Sequence, residues 1–322
     1  MRFAPALRIL SVAALAATLA LPPPARACSI CRCGDPTFNA LGSDVYGASR
    51  FRVAVDAERF DKEQGMFGEE EAGSESVIED RLTASLAYTL ADRAILVARL
   101  PWSTRELTPH PADHDAAGKH AESALPSTSR GLADPEVYTL VRLWSSKFGP
   151  TLGKRAWLSA LGGVKTNWGE NDLEEAGDRL DEHAQPGTGS TDLFGGLSGL
   201  YLITPDSSVF GSVQLRRTGS NDFGYRYGNT VLANLAYERK FTSKLDGILE
   251  VNYRNAGRDR IADDGLLDPN TGGSVYYLSP KLGFDLGHGM VARAAAQIPV
   301  RKSLNGEQKE KAVVNLGLTV VF

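Results

Sequence analysis

The residues able to do chemistry gather at two places in this 322-residue chain. All three cysteines, Cys28, Cys31 and Cys33, fall within the stretch ACSICRCGDP. The C-x2-C-x-C spacing lets three sulfurs converge on one soft ion, Cu(I) or Zn(II), with a fourth ligand from a free terminal amine, an interior residue or a periplasmic partner. Two other readings stay open: a disulfide that leaves one thiol over, and lipid attachment at Cys28. A c-type haem site is excluded, because Arg32 stands where histidine is required after Cys31. Beyond this candidate ion, the sequence calls for no cofactor.

The second place is ELTPHPADHDAAGKHAES, where His110, Asp113, His114, Asp115 and His120 include three of the five histidines. Imidazole and carboxylate at such spacings can gather Zn(II), Cu(II) or Ni(II), although a solvated surface loop does so weakly. His183, within DLEEAGDRLDEH, could join that set, and the acidic stretch FGEEEAGSE could concentrate cations near it.

What positions these residues begins with export. Arg2 and Arg8, the apolar run ILSVAALAATLALPPP and Ala25-Arg26-Ala27 together make residues 1–27 an expected signal peptide. Its removal leaves 32 basic against 39 acidic residues, a mature charge of about −7 that disfavours nucleic acid as a partner. Residues 28–47 then form a Cys-containing periplasmic or plug-like segment, and residues 48–322 the main domain.

That domain alternates apolar and polar residues in segments of about ten, the pattern of a transmembrane antiparallel up-and-down β-barrel. In LTASLAYTL, Leu82, Ala84, Leu86, Tyr88 and Leu90 share one face, while Thr83, Ser85 and Thr89 share the other. In KLDGILEVNYRN, Leu245, Leu249, Val251 and Tyr253 oppose Asp246, Glu250, Asn252 and Arg254. Charges at every second position do not suit a dry core, so one face is assigned to lipid and the other to a wet lumen.

About twelve such strands are expected, near 50–60, 78–90, 94–105, 134–145, 155–167, 191–203, 208–217, 229–240, 244–255, 274–285, 290–301 and 312–322. Their connections alternate short and long, with the long ones at about 61–77, 106–133, 168–190, 218–228, 256–273 and 302–311. Short periplasmic turns and long extracellular loops would put both termini, and the cysteines, in the periplasm of an outer-membrane protein. NLGLTVVF, closing on Phe322, is similar to the terminal strand read by the barrel assembly machinery, so that machinery and outer-membrane lipid are expected partners.

The blocks RLTASLAYTLADRAILVARLPW, GLADPEVYTLVRLW, GSTDLFGGLSGLYLI, YLSPKLGFDLG and AAAQIPV occur in an order that resembles the Gram-negative outer-membrane barrels of the MetA-pathway of phenol degradation family. The resemblance runs from about Leu82 to Phe322. It implies a transporter-like barrel that moves small molecules, including small organic or aromatic compounds.

Arg81, Arg99, Lys165, Arg216, Glu238, Asp246, Glu250, Arg254, Lys281 and Arg293 are the expected lumen-lining charges. They could brace a nearly closed barrel or line a selective pore. The leading function is a channel or transporter for small solutes. The alternative is copper or zinc uptake through the cysteine cluster and the histidine-rich loop. A barrel hydrolase is disfavoured, because its histidine would have to be held rigidly near the outer rim and none falls within an expected strand. No enzymatic activity is therefore expected.

Overall fold

The computed structural model describes residues 51–65, 74–90, 93–110, 126–147, 154–261, 265–306 and 308–322. The expected signal peptide and the segment bearing Cys28, Cys31 and Cys33 lie outside the described residues, as do Asp113, His114 and His120. Among the described residues, no helix is long and apolar enough to cross a membrane.

Twelve strands form the wall: β1 (Phe51–Gly65), β2 (Ser74–Leu90), β3 (Ala94–His110), β4 in two segments (Ser127–Leu132 and Glu136–Lys147), β5 (Lys154–Lys165), β6 (Asp192–Thr204), β7 (Ser207–Arg217), β8 (Thr230–Lys240), β9 (Leu245–Ala256), β10 (Gly273–Gly287), β11 (Met290–Leu304) and β12 in two segments (Gln308–Glu310 and Val313–Val321). Each strand pairs antiparallel with its neighbours in sequence, and β1 pairs with both β2 and β12. That last pairing closes the sheet and leaves no edge, which a structure in hydrocarbon requires. At the seam, the Phe322 amide donates to the Phe51 carbonyl at 3.0 Å.

The alternation read from sequence becomes the two faces of this wall. Leu82, Leu86, Leu90, Leu197, Val213, Leu235 and Leu316 are exposed on the outside, whereas Arg52, Asp56, Thr83, Ser85, Gln214, Asn234 and Asn252 are buried on the inside. Aromatics border the apolar band, with Phe51 against Tyr88 near the short turns and Tyr253 against Tyr276 toward the other end, each pair 4.7 Å between centroids. The fold is that of an outer-membrane barrel.

Expectations about the connections change: residues 106–110, 127–132, 302–304 and 308–310, read as parts of long connections, are strand. The β1–β2 ladder runs from Phe51 opposite Tyr88 to Gly65 opposite Ser74, so most of the stretch read as the first long loop is wall. Charges occupy both faces there, as in Asp61-Lys62-Glu63, and the two-residue period fades although pairing continues. The third long connection, between β5 and β6, does not remain outside: residues 182–190 are buried.

Candidate functional site in the barrel interior

The folded-in connection is held by residues at the ends of three strands. Asp134 sits between the two segments of β4, Lys165 ends β5 and Asp192 begins β6. Lys165 Nζ lies 2.8 Å from Asp134 Oδ2, 2.8 Å from the Ser190 carbonyl and 3.4 Å from Asp192 Oδ2. Asp134 also accepts from the amides of Gly169, at 3.1 Å, and Thr188, at 2.7 Å. Burying a charge is tolerable only when such partners replace water, and here they come from both wall and connection.

The two arms of the connection cross directly over Asp134. A Cβ on Gly169 would lie 2.6 Å from Asp134 Oδ1, and one on Gly187 would lie 2.8 Å from Gly169. Glycine is therefore needed at both positions for close backbone approach. Deeper in the turn, Gln185 is fully buried and donates from Nε2 to the Leu173 and Leu180 carbonyls at 3.0 Å each. Arg105 Nη1 donates to the His183 carbonyl at 3.0 Å, Tyr227 Oη to the Glu182 carbonyl at 3.1 Å, and Ser129 Oγ to the Ala184 carbonyl.

Charged groups elsewhere on the inner wall form clusters. Glu79 accepts from Arg81 at 2.7 Å, Ser103 at 2.8 Å and Arg105 at 3.1 Å. Glu136 lies 2.5 Å from Arg216 and 3.4 Å from Arg99, and Arg216 reaches Asp192 at 3.9 Å. Glu310 pairs with Arg254 at 2.5 Å and Lys62 at 3.5 Å, and it accepts from Tyr277 Oη. Glu250 pairs with Lys281 and accepts from Asn252 at 2.6 Å. Glu238 accepts from Ser208 at 3.0 Å. Asp246 and Arg293 lie on the same inner face, partly buried.

Sequence reasoning thus singled out one member of several pairs and missed its partner. Glu310 lies in the stretch read as the last long connection, and Asp134 sits in a break within β4, whereas Glu79 and Arg105 lie at the ends of expected strands on the inward parity. Glu136 and Asp56 fall inside expected strands on the inward parity, so the alternation alone could have found them.

The interior is not uniformly polar. Ala54, Ala87, Ile95, Val97, Tyr138, Leu140, Leu161 and Phe194, contributed by β1 to β6, form one buried apolar cluster on the inner face. Tyr138 meets Phe194 edge to face with centroids 5.9 Å apart, and the Arg216 guanidinium lies 4.8 Å from the Phe194 ring centre. Nothing in the sequence reading anticipated this patch, because inward positions were sought by charge.

His183 is buried in the folded-in connection, with Nδ1 3.1 Å from Asp181 Oδ1 and 3.4 Å from Glu75 Oε1. Burial pushes the Asp181 carboxyl up, but the His183 charge and its hydrogen bonds outweigh this and hold it at about 2. Asp268, in the connection between β9 and β10, is pushed the other way by burial, against a backbone hydrogen bond from Asn270. Of the histidine-rich candidates, His110 lies within the described backbone, at the end of β3 opposite Ser74.

Comparison with solved structures places the barrel among outer-membrane proteins. An outer-membrane channel from Pseudomonas putida F1 matches with a TM-score of 0.62 at 12% identity, over 85% of this chain and 96% of that one. At that identity the likeness establishes a shared fold. A FadL homologue of Pseudomonas aeruginosa matches at TM-score 0.43 and 12% identity, over 94% of this chain and 99% of that one. The Ralstonia pickettii toluene transporter TbuX matches at TM-score 0.43 and 8% identity, over 90% and 92%. No curated protein matches the sequence. The family model described as "Putative MetA-pathway of phenol degradation" matches residues 81–303, from the inner-wall Arg81 to the end of β11, and the chain belongs to that family.

Proposed function

We propose that this barrel is an outer-membrane channel for small solutes and that small organic or aromatic compounds are its preferred cargo. The observation that carries the reading is the apolar cluster on an inner wall that is otherwise charged: Ile95, Val97, Leu140, Leu161 and the Tyr138–Phe194 pair. Such side chains on the inside do not serve a water-filled pore, whose interior is polar, but they suit a solute with an apolar body. Arg99 and Arg216, adjoining at Glu136, would meet the solute's polar end. The Pseudomonas putida barrel that shares this fold is an outer-membrane channel, which agrees with the reading.

Both termini are assigned to the periplasmic side. The alternation of short turns, such as Thr204 to Ser207, with the long connection between β5 and β6 supports that orientation. Phe322, exposed at the end of β12, would present the strand recognised during assembly, and the wall's outer face would contact lipid.

The test is uptake by proteoliposomes of radiolabelled benzoate, held ionised at pH 8, beside a sugar of similar size. Faster entry of benzoate, lowered severalfold relative to that of the sugar by Phe194→Asp, is the expected result. Impermeability to both solutes would overturn the reading.

A further inference from the structure

The folded-in connection brings three metal-type donors to one point. Glu75 comes from β2, whereas Asp181 and His183 come from the connection between β5 and β6, more than a hundred residues later. One donor atom from each lies within 4.8 Å of the others. His183 Nδ1 stands 3.1 Å from Asp181 Oδ1 and 3.4 Å from Glu75 Oε1. Zinc–ligand bonds of about 2.0–2.1 Å set the donors of a tetrahedral site about 3.3 Å apart, so two edges of such a site are already formed.

The other side of the imidazole is arranged to suit such an occupant. Tyr225 Oη donates to Asp259 Oδ2 at 2.8 Å and stands 3.4 Å from His183 Nε2. With its own proton engaged by Asp259, the Tyr225 oxygen is left to accept from an Nε2–H. Nδ1 then faces the two carboxylates, where it holds either a proton, as an imidazolium, or a metal ion. Metal-binding histidines are typically oriented in this way by an outer carboxylate or hydroxyl. Asp259 Oδ2 is 4.0 Å from Nε2, completing that outer contact.

We propose that Glu75, Asp181 and His183 form a site for a divalent transition metal of the Zn(II) class, with water completing the coordination. One imidazole and two carboxylates suit zinc better than the all-oxygen shell preferred by calcium or magnesium. The ion would tie the folded-in connection to β2, so its role is to fix that connection across the interior. This site is separate from the cysteine cluster and from the histidine-rich stretch, and it does not depend on which solute crosses.

The experiment is a Zn(II) titration of the full chain in detergent, against a chromophoric chelator. Cys28, Cys31 and Cys33 are replaced by Ser, and His110, His114 and His120 by Asn, to remove competing donors. The site predicts one saturable equivalent in this parent, with affinity at least tenfold weaker in both His183→Asn and Glu75→Gln. Heat-modifiable gel mobility reports whether each variant has formed its barrel, and the two substitutions act on different elements. No saturable Zn(II) in the parent, which would leave a proton alone in the position, or undiminished affinity in either folded variant, which would put the ion elsewhere, would overturn the proposal.

Discussion

Lys165 Nζ and Asp134 Oδ2 lie 2.8 Å apart, both side chains almost fully buried, at the point where the wall meets the connection folded into it. Because the same ammonium reaches the Ser190 carbonyl and Asp192, one side chain joins two strand ends to the returning arm. Removing it leaves the Asp134 and Asp192 carboxylates buried without that ammonium.

Lys165→Met keeps most of the side chain's length and deletes its charge. The loss of one partner from a buried pair should cost about 3 kcal/mol, read as a lower unfolding midpoint in urea. Adding Asp134→Asn should recover part of it, because the uncompensated charge is removed as well. Equal losses in the single and double variants would mean that the pair is not the fastening.

Glu79 gathers Arg81, Arg105 and Ser103, and Arg105 also holds the His183 carbonyl. Glu79→Ala should therefore destabilise the barrel by about 3 kcal/mol, and it should also loosen the connection, read as faster amide exchange at residues 182–185. Exchange unchanged there, with stability lost, would confine Glu79 to bracing the wall.

Phe194→Ala opens space beside Tyr138 within the apolar cluster. Large-to-small changes at buried aromatics cost about 3–5 kcal/mol. The proposed function further predicts that a small sugar crosses faster in this variant while aromatic selectivity falls. Selectivity preserved in proteoliposome flux would remove the cluster from the solute path.

Asp268 lies 3% exposed and its carboxyl is pushed above its usual range by burial. A carboxyl raised in the folded state binds more protons there than in the unfolded chain, so stability falls as pH rises through the window above about 4. Asp268→Asn retains an acceptor for the Asn270 amide. It should be neutral or stabilising at pH 7, and that advantage should vanish below about pH 4. Urea unfolding at the two pH values checks this, and a variant weaker than the parent at pH 7 would contradict it.

The wall was legible because lipid imposes a strict period: Leu82, Leu86 and Leu90 face outward for the same reason that Thr83 and Ser85 face inward. The buried connection was not legible. His183-Ala184-Gln185-Pro186-Gly187-Thr188-Gly189-Ser190 has the composition of a solvated turn, and partners distant in sequence, Arg105, Ser129, Asp134 and Lys165 among them, offset the cost of its burial. Long-range polar pairing leaves no local period. The apolar inner cluster escaped for a different reason: Ile95 and Val97 share the parity of the inward Arg99, but inward positions were sought by charge.

The most direct test is single-channel conductance in planar bilayers, comparing the parent with a variant in which residues 172–185 are replaced by a short Gly-Ser link. If the passage runs through the barrel interior and this connection narrows it, the parent conducts measurably. The variant then conducts severalfold more, with heat-modifiable mobility intact. A folded variant whose conductance equals the parent's, or two folded barrels that conduct nothing, would contradict that passage.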